Sequence, residues 1–176
     1  MARRLIKESL AAVAVILLAA LPGCGSVDDD RIPAMAVSVN ISGMGMWNTY
    51  GVSGYGQSRR FILSSTRREP TGFPYTQTSS TGFGGILLIS GIDPFSGDSS
   101  PLAYDLACPV ERKPDVRVNV EGELYEAVCP VCGSHYDVTM GGGGPLSGPA
   151  AEGKYKYALR RYQCLPGIDG GYLITY

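Results

Sequence analysis

The sequence predicts an all-β fold built of many short strands. Three observations carry this expectation. Gly supplies 24 and Pro 12 of the 176 residues, a density that interrupts helices. Apolar residues recur with a period of two in several segments. No segment keeps helical spacing for longer than about two turns.

Taken in chain order, Val37, Val39 and Ile41 alternate with Ser38 and Asn40, which predicts a strand with one buried face. Residues 64–81 are rich in Ser, Thr, Pro and Gly and predict a long exposed loop. Residues 84–90 contain Ile86-Leu87-Leu88-Ile89, apolar on both faces, as in a fully buried strand. Leu102, Tyr104, Leu106 and Cys108 alternate with Ala103, Asp105 and Ala107. Val116, Val118 and Val120 alternate with Arg117, Asn119 and Glu121, and Leu124, Glu126 and Val128 follow beyond Gly122. Gly141 to Gly144, then Pro145, reads as a turn, because a phosphate cradle would need a Lys-Ser/Thr pair and a following helix. Residues 154–162 predict a strand with Tyr155, Tyr157 and Leu159 on one side, and Tyr172, Ile174 and Tyr176 predict the last. Residues 31–176 are expected to form one β unit without internal repeats.

The first 23 residues read differently. Arg3, Arg4 and Lys7 precede an unbroken apolar run, residues 10–21. Twelve residues are too few to span a bilayer, which takes about 20, so residues 1–23 are expected to be a secretory signal peptide. Leu21-Pro22-Gly23-Cys24 resembles the lipobox of bacterial lipoproteins, which implies lipidation of Cys24 and a chain anchored to a membrane rather than spanning it. Residues 24–30 would then be the lipidated Cys and an acidic tether, Asp28-Asp29-Asp30, which resembles the acidic export signals of Bacteroidota surface lipoproteins. Arg3-Arg4 fits a twin-Arg signal poorly, since Lys7 follows too closely, so export as an unfolded chain is expected. The implied location is the cell envelope, on the outer membrane, facing periplasm or exterior.

Composition excludes other classes. Loss of Arg3, Arg4, Lys7 and Glu8 with the leader takes the net charge from −1 to −3. That gives no electrostatic footprint for nucleic acid. A single histidine, His135, excludes any site built from several imidazoles. Ser134 and His135 are neighbours in sequence and have no orienting acid, so no nucleophile–base pair is predicted. The expectation is a monomer that is not a catalyst.

The chemistry concentrates in the cysteines. With Cys24 assigned to the lipid, Cys108, Cys129, Cys132 and Cys164 remain. Cys129-Pro130-Val131-Cys132-Gly133 is a tight turn that aims two thiols at one point, as a soft metal or an iron–sulfur cluster requires. A redox CxxC would open a helix beside a βαβ unit, and no such helix is predicted here. Cys164, after the strand ending near Tyr162, reads equally as a buried apolar residue, a ligand or a disulfide partner.

Residues 129–137, C-P-V-C-G-S-H-Y-D, with Gly148-Pro149-Ala150 downstream, resemble the second cluster-binding box of Rieske [2Fe–2S] proteins. Ala107-Cys108-Pro109-Val110 stands where the first box would be. The motif match covers about residues 108–150, within an implied subdomain of about 106–150. It implies layered antiparallel sheets with a small cluster-binding subdomain. It also implies that Cys108 and Cys129 match the two thiolates on one iron, that Ser134 and Tyr136 match the hydroxyls bonded to cluster sulfurs, and that Gly133 permits the turn. His135 matches a variable position and is expected at the surface.

The departures from that pattern are informative. Val110 replaces the first histidine ligand and cannot ligate, and Cys132 replaces the second. The cluster site is therefore degenerate. Three states stay open: a cysteine-rich iron centre or altered [2Fe–2S] cluster, zinc on Cys108, Cys129 and Cys132 with an outside ligand, or no cofactor and a Cys108–Cys129 disulfide. Export of an unfolded chain into an oxidising compartment favours the last, in which a closed loop of about 20 residues would add roughly 3 kcal/mol. The functional expectation is a membrane-anchored scaffold or binding module. An iron–sulfur electron-transfer or redox-sensing protein and a zinc-stabilised module are the alternatives.

Overall fold

A computed structural model describes residues 27–93, 96–140, 142–154 and 156–176. The expected leader, the lipidation site Cys24 and Tyr155 lie outside the described residues. The fold is all-β, as the alternation and the Gly and Pro content predict. The strands are β1 (Val27–Asp28), β2 (Val37–Ser42), β3 (Ser58–Leu63), β4 (Arg68–Glu69), β5 (Ser80–Thr81), β6 (Ile86–Ile92) and β7 (Ser99–Asp105). They continue with β8 (Asn119–Glu121), β9 (Glu126–Val128), β10 (His135–Tyr136), β11 (Pro145–Ser147), β12 (Lys156–Tyr157), β13 (Arg161–Pro166) and β14 (Gly171–Thr175). One seven-residue helix, α1 (Met44–Tyr50), joins β2 to the β3 approach. There Trp47 packs against Tyr172 with the rings tilted by 48° and their centroids 4.8 Å apart. A Cβ at Gly51 would meet the Trp47 ring at 2.4 Å, so the bare glycine is what admits the indole.

Eight strands form one antiparallel sheet in the order β4-β3-β6-β7-β13-β14-β2-β5. It curls until its ends approach, with the Leu63 N–H donating to Thr81 Oγ1 at 3.1 Å. A second, four-stranded sheet runs β11-β10-β9-β8, and β1 pairs in parallel with β12. Two apolar cores follow from this arrangement. Val39, Ile41, Phe61, Ile86, Leu88 and Ile174 fill the inside of the curled sheet. Leu87, Ile89, Leu102 and Tyr104 join Val118, Ala127, Tyr136 and Val138 in the other core. Strand β6 therefore feeds both cores with alternate side chains, which is why it reads as apolar on both faces. The same holds for residues 102–108, which are buried throughout although their pattern alternates.

The buried Asp105 carboxylate accepts hydrogen bonds from the N–H groups of Phe83, Gly84 and Ala107. It also accepts the Tyr162 hydroxyl. A buried carboxylate persists only with such partners.

Several local expectations need correction. Residues 64–81 are largely an exposed loop, as expected, but they hold the two short strands β4 and β5, and the loop between these buries Phe73, which packs edge to face with Tyr75. The strand expected over 154–162 divides into β12 and the start of β13, because the chain passes from the small parallel pair to the large sheet between them. Beyond Gly122 the inward residues are Ala127 and Cys129, while Leu124 is 75% exposed. The positive φ of Tyr125 (54°) breaks the alternation there. The acidic segment is docked from Val27 onward: β1 lies on β12, and Asp30 pairs with the buried Arg160 at 2.9 Å.

Candidate metal centre

Two chain reversals meet beside the second core. Cys108 lies just beyond β7, where the chain leaves the large sheet. Its N–H donates to the Val116 carbonyl at 3.0 Å, and its carbonyl accepts the Arg112 N–H at 2.9 Å. Cys129 directly follows β9, and residues 129–134 reverse into β10. The Cys129 N–H donates to the Ser134 carbonyl at 2.9 Å, and its carbonyl accepts the Gly133 N–H at 3.0 Å. Gly133 has φ 68°, the left-handed conformation that the turn demands. Gly148 presses onto this turn, so that a Cβ there would stand 2.9 Å from the Gly133 carbonyl oxygen and the Ser134 Cα.

The sulfurs of Cys108, Cys129 and Cys132 lie within 4.8 Å of one another. Cys108 Sγ and Cys132 Sγ are 3.6 Å apart. Cys108 and Cys129 are buried, and Cys132 is half-buried at the mouth. The Tyr136 hydroxyl, itself buried, lies 3.3 Å from Cys108 Sγ. The Cys132 thiol donates to Ser134 Oγ at 3.2 Å, and a Cys132 thiolate would instead accept from that hydroxyl. Ser134 is fixed in turn by the Ala150 N–H, which donates to its Oγ at 3.0 Å. Ser134, Tyr136 and Gly133 thus stand around the thiols.

The electrostatics of Cys108 and Cys132 differ. Burial pushes the Cys108 thiol up to about 12, against the pull of the Tyr136 hydroxyl and of the Glu111 and Val110 N–H groups aimed at its sulfur. At Cys132 burial also pushes upward. The Ser134 hydroxyl and N–H, then the Cys129 and Cys108 sulfurs, outweigh it and hold this thiol below its ordinary value. Of these two thiols, Cys132 is the one that more readily carries a negative charge.

Distances test what could sit here. A tetrahedral ion with metal–sulfur bonds of about 2.3 Å has sulfur–sulfur edges of about 3.8 Å. The Cys108–Cys132 separation matches such an edge closely. A cluster of two irons divides its terminal ligands between two metals and spreads them farther than one ion does. With all three sulfurs within 4.8 Å of one another, the cluster is close enough to converge on one soft ion.

Other sequence candidates fall elsewhere. Val110 packs its methyl groups against the core and offers no donor. His135 lies at the surface with its side chain 38% exposed, Nδ1 2.8 Å from Glu126 Oε2, and outside the thiol cluster. Cys164 sits on β13 against the other core, where burial pushes its thiol up to about 12. Cys108, Cys129, Cys132 and Cys164 are free thiols. Sequence reasoning missed the N–H groups at 110 and 111, whose only signal was the proline after Cys108. No helix among the described residues is long and apolar enough to cross a membrane. Neither the protein-family models nor the curated proteins yield a match to this chain.

Proposed function

We propose that this chain is an envelope lipoprotein whose Rieske-like β domain carries one thiolate-bound zinc ion as a structural clamp, and that it acts as a binding module rather than a catalyst. The compact cluster of Cys108, Cys129 and Cys132 carries this proposal. Zinc suits three thiolates, has no redox chemistry of its own and contributes directly to folding energy. The two loops it would join come from different sheets, so the clamp closes the open end of the second core. An ion taken up after export also needs no cytoplasmic cluster assembly, which agrees with a leader of the unfolded-export kind.

The Rieske-like part of the proposal is supported by the small β8–β11 sheet that presents the second loop, and by Ser134 and Tyr136 at the sulfurs. Val110 and Cys132 in the two histidine positions exclude the ordinary imidazole-ligated iron. Metal analysis of the full-length protein, purified anaerobically from its native host, tests the assignment. One zinc per chain is expected. Iron with acid-labile sulfide would replace the clamp by a redox centre. Neither metal, with a mass lower by two hydrogens, would replace it by a disulfide. Incorporation of labelled palmitate that is lost in Cys24→Ala tests the anchor.

A further inference from the structure

We infer that Glu111 supplies the fourth donor of this site, so that the ion is held by three thiolates and one carboxylate. The inference rests on the metal assignment above and extends it by one ligand.

The two reversals share a sequence as well as a focus. Cys-Pro-Val occurs at 108–110 and again at 129–131. Each tripeptide is followed by a residue type that can bind metal, Glu111 in the first and Cys132 in the second. The backbones agree step for step. In both, the cysteine carbonyl accepts the N–H of the residue four places on, Arg112 at 2.9 Å and Gly133 at 3.0 Å. In both, that residue is left-handed, with φ 56° at Arg112 and 68° at Gly133. Arg112 is one of two described non-glycine residues with positive φ, a conformation that costs a side-chain-bearing residue roughly 1 kcal/mol. The first loop thus keeps the fold of the second without the residue that makes it easy.

Position four of the second turn directs its side chain at the cluster, with Cys132 Sγ 3.6 Å from Cys108 Sγ. Position four of the first turn, with the same hydrogen bond and the same left-handed residue after it, is Glu111. Its N–H already points at Cys108 Sγ. Its side chain is half-buried, and its carboxylate makes no hydrogen bond or ion pair with the described residues. That carboxylate stands outside the set of atoms mutually within 4.8 Å. A glutamate has two more rotatable bonds than a cysteine, and a rotamer change is what brings it in. Carboxylate oxygen is an accepted zinc donor. Binding releases the remaining thiol protons to solvent.

Cobalt(II) titration of the reduced full-length chain in detergent tests this assignment. The wild type is expected to give the intense visible bands of a tetrahedral thiolate site. Glu111→Gln should lower cobalt affinity by roughly tenfold or more and shift those bands. Glu111→Cys should restore the affinity and strengthen the sulfur-to-metal charge transfer, which a misfolded variant could not do. Glu123→Gln, an exposed acid away from the turns, should change neither. Affinity and spectrum unchanged in Glu111→Gln would overturn the assignment while leaving the three-thiol site in place. Absence of thiolate bands in the wild type would instead overturn the metal site itself, and Glu111 with it.

Discussion

Cys108 and Cys132, 24 residues apart in the chain, hold their sulfur atoms 3.6 Å apart at the junction of two sheets. One lies buried beneath the Tyr136 hydroxyl, and the other is half-buried beside Ser134. This asymmetry makes one thiol the reactive one and the other the structural one.

Alkylation should therefore be selective. In the chelated, reduced protein Cys132 is expected to react first with iodoacetamide. Its rate should level off at a lower pH than that of a free cysteine, near 8.5, because the Ser134 hydroxyl and N–H hold its thiol below the ordinary value. Cys108 should stay unmodified until unfolding, since burial raises its thiol to about 12. Peptide mapping across a pH series reads both. Equal labelling of Cys108 and Cys132 would contradict the asymmetry.

Gly148→Ala should destabilise the fold by about 2 kcal/mol or more. The new Cβ would stand 2.9 Å from the Gly133 carbonyl oxygen, and φ is 75°. Because that carbonyl belongs to the turn carrying Cys132, zinc affinity measured by chelator competition should fall as well. Gly133→Ala has open space around its Cβ and only the φ of 68° to oppose it, so its cost should be smaller, about 1 kcal/mol.

Tyr104→Phe should be neutral or stabilising by up to ~1 kcal/mol in denaturant titration. The Tyr104 hydroxyl is fully buried and has no hydrogen-bond partner among the described residues. Removing an unsatisfied polar group relieves its desolvation cost. A clear loss of stability would show that the hydroxyl is partnered in solution.

Arg160 fixes the N-terminal segment. Its guanidinium donates to the Ile32 carbonyl, Asp30 Oδ1 and the Tyr176 hydroxyl. The Asp30 side chain is 83% exposed and that of Arg160 6%, which decides between the two ends of the pair. Asp30→Asn should cost under about 1 kcal/mol, as for a surface pair. Arg160→Ala strips the partner from a buried carbonyl and should cost about 1–3 kcal/mol. Hydrogen exchange over residues 27–37 should accelerate in the second variant and hardly change in the first.

Much of this architecture was legible in the chain. Val37, Val39 and Ile41 alternate because only one face of β2 meets a core, and period two reports that directly. Residues 86–89 read as buried because β6 serves two cores. The meeting of Cys108 with Cys129 and Cys132 was expected only from the resemblance of two short segments to a family's paired cluster-binding boxes. Period and composition carry no information about which loops meet. Asp105 looked like the polar half of an alternation, since nothing local announces that the Phe83, Gly84 and Ala107 N–H groups converge on it. The docking of residues 27–30 was hidden for the same reason: its partners, Arg160 and β12, lie some 130 residues away. The likeness of the two Cys-Pro-Val turns was present in the letters. Its meaning came from Arg112, whose left-handed backbone no propensity scale predicts.

X-ray absorption at the zinc edge of the purified, reduced protein tests the three-thiol site most directly. A shell of three sulfurs at about 2.3 Å with one oxygen at about 2.0–2.2 Å is expected. The sulfur count should fall to two in Cys108→Ser, Cys129→Ser or Cys132→Ser. A shell with no sulfur, or one unchanged by these substitutions, would contradict the account.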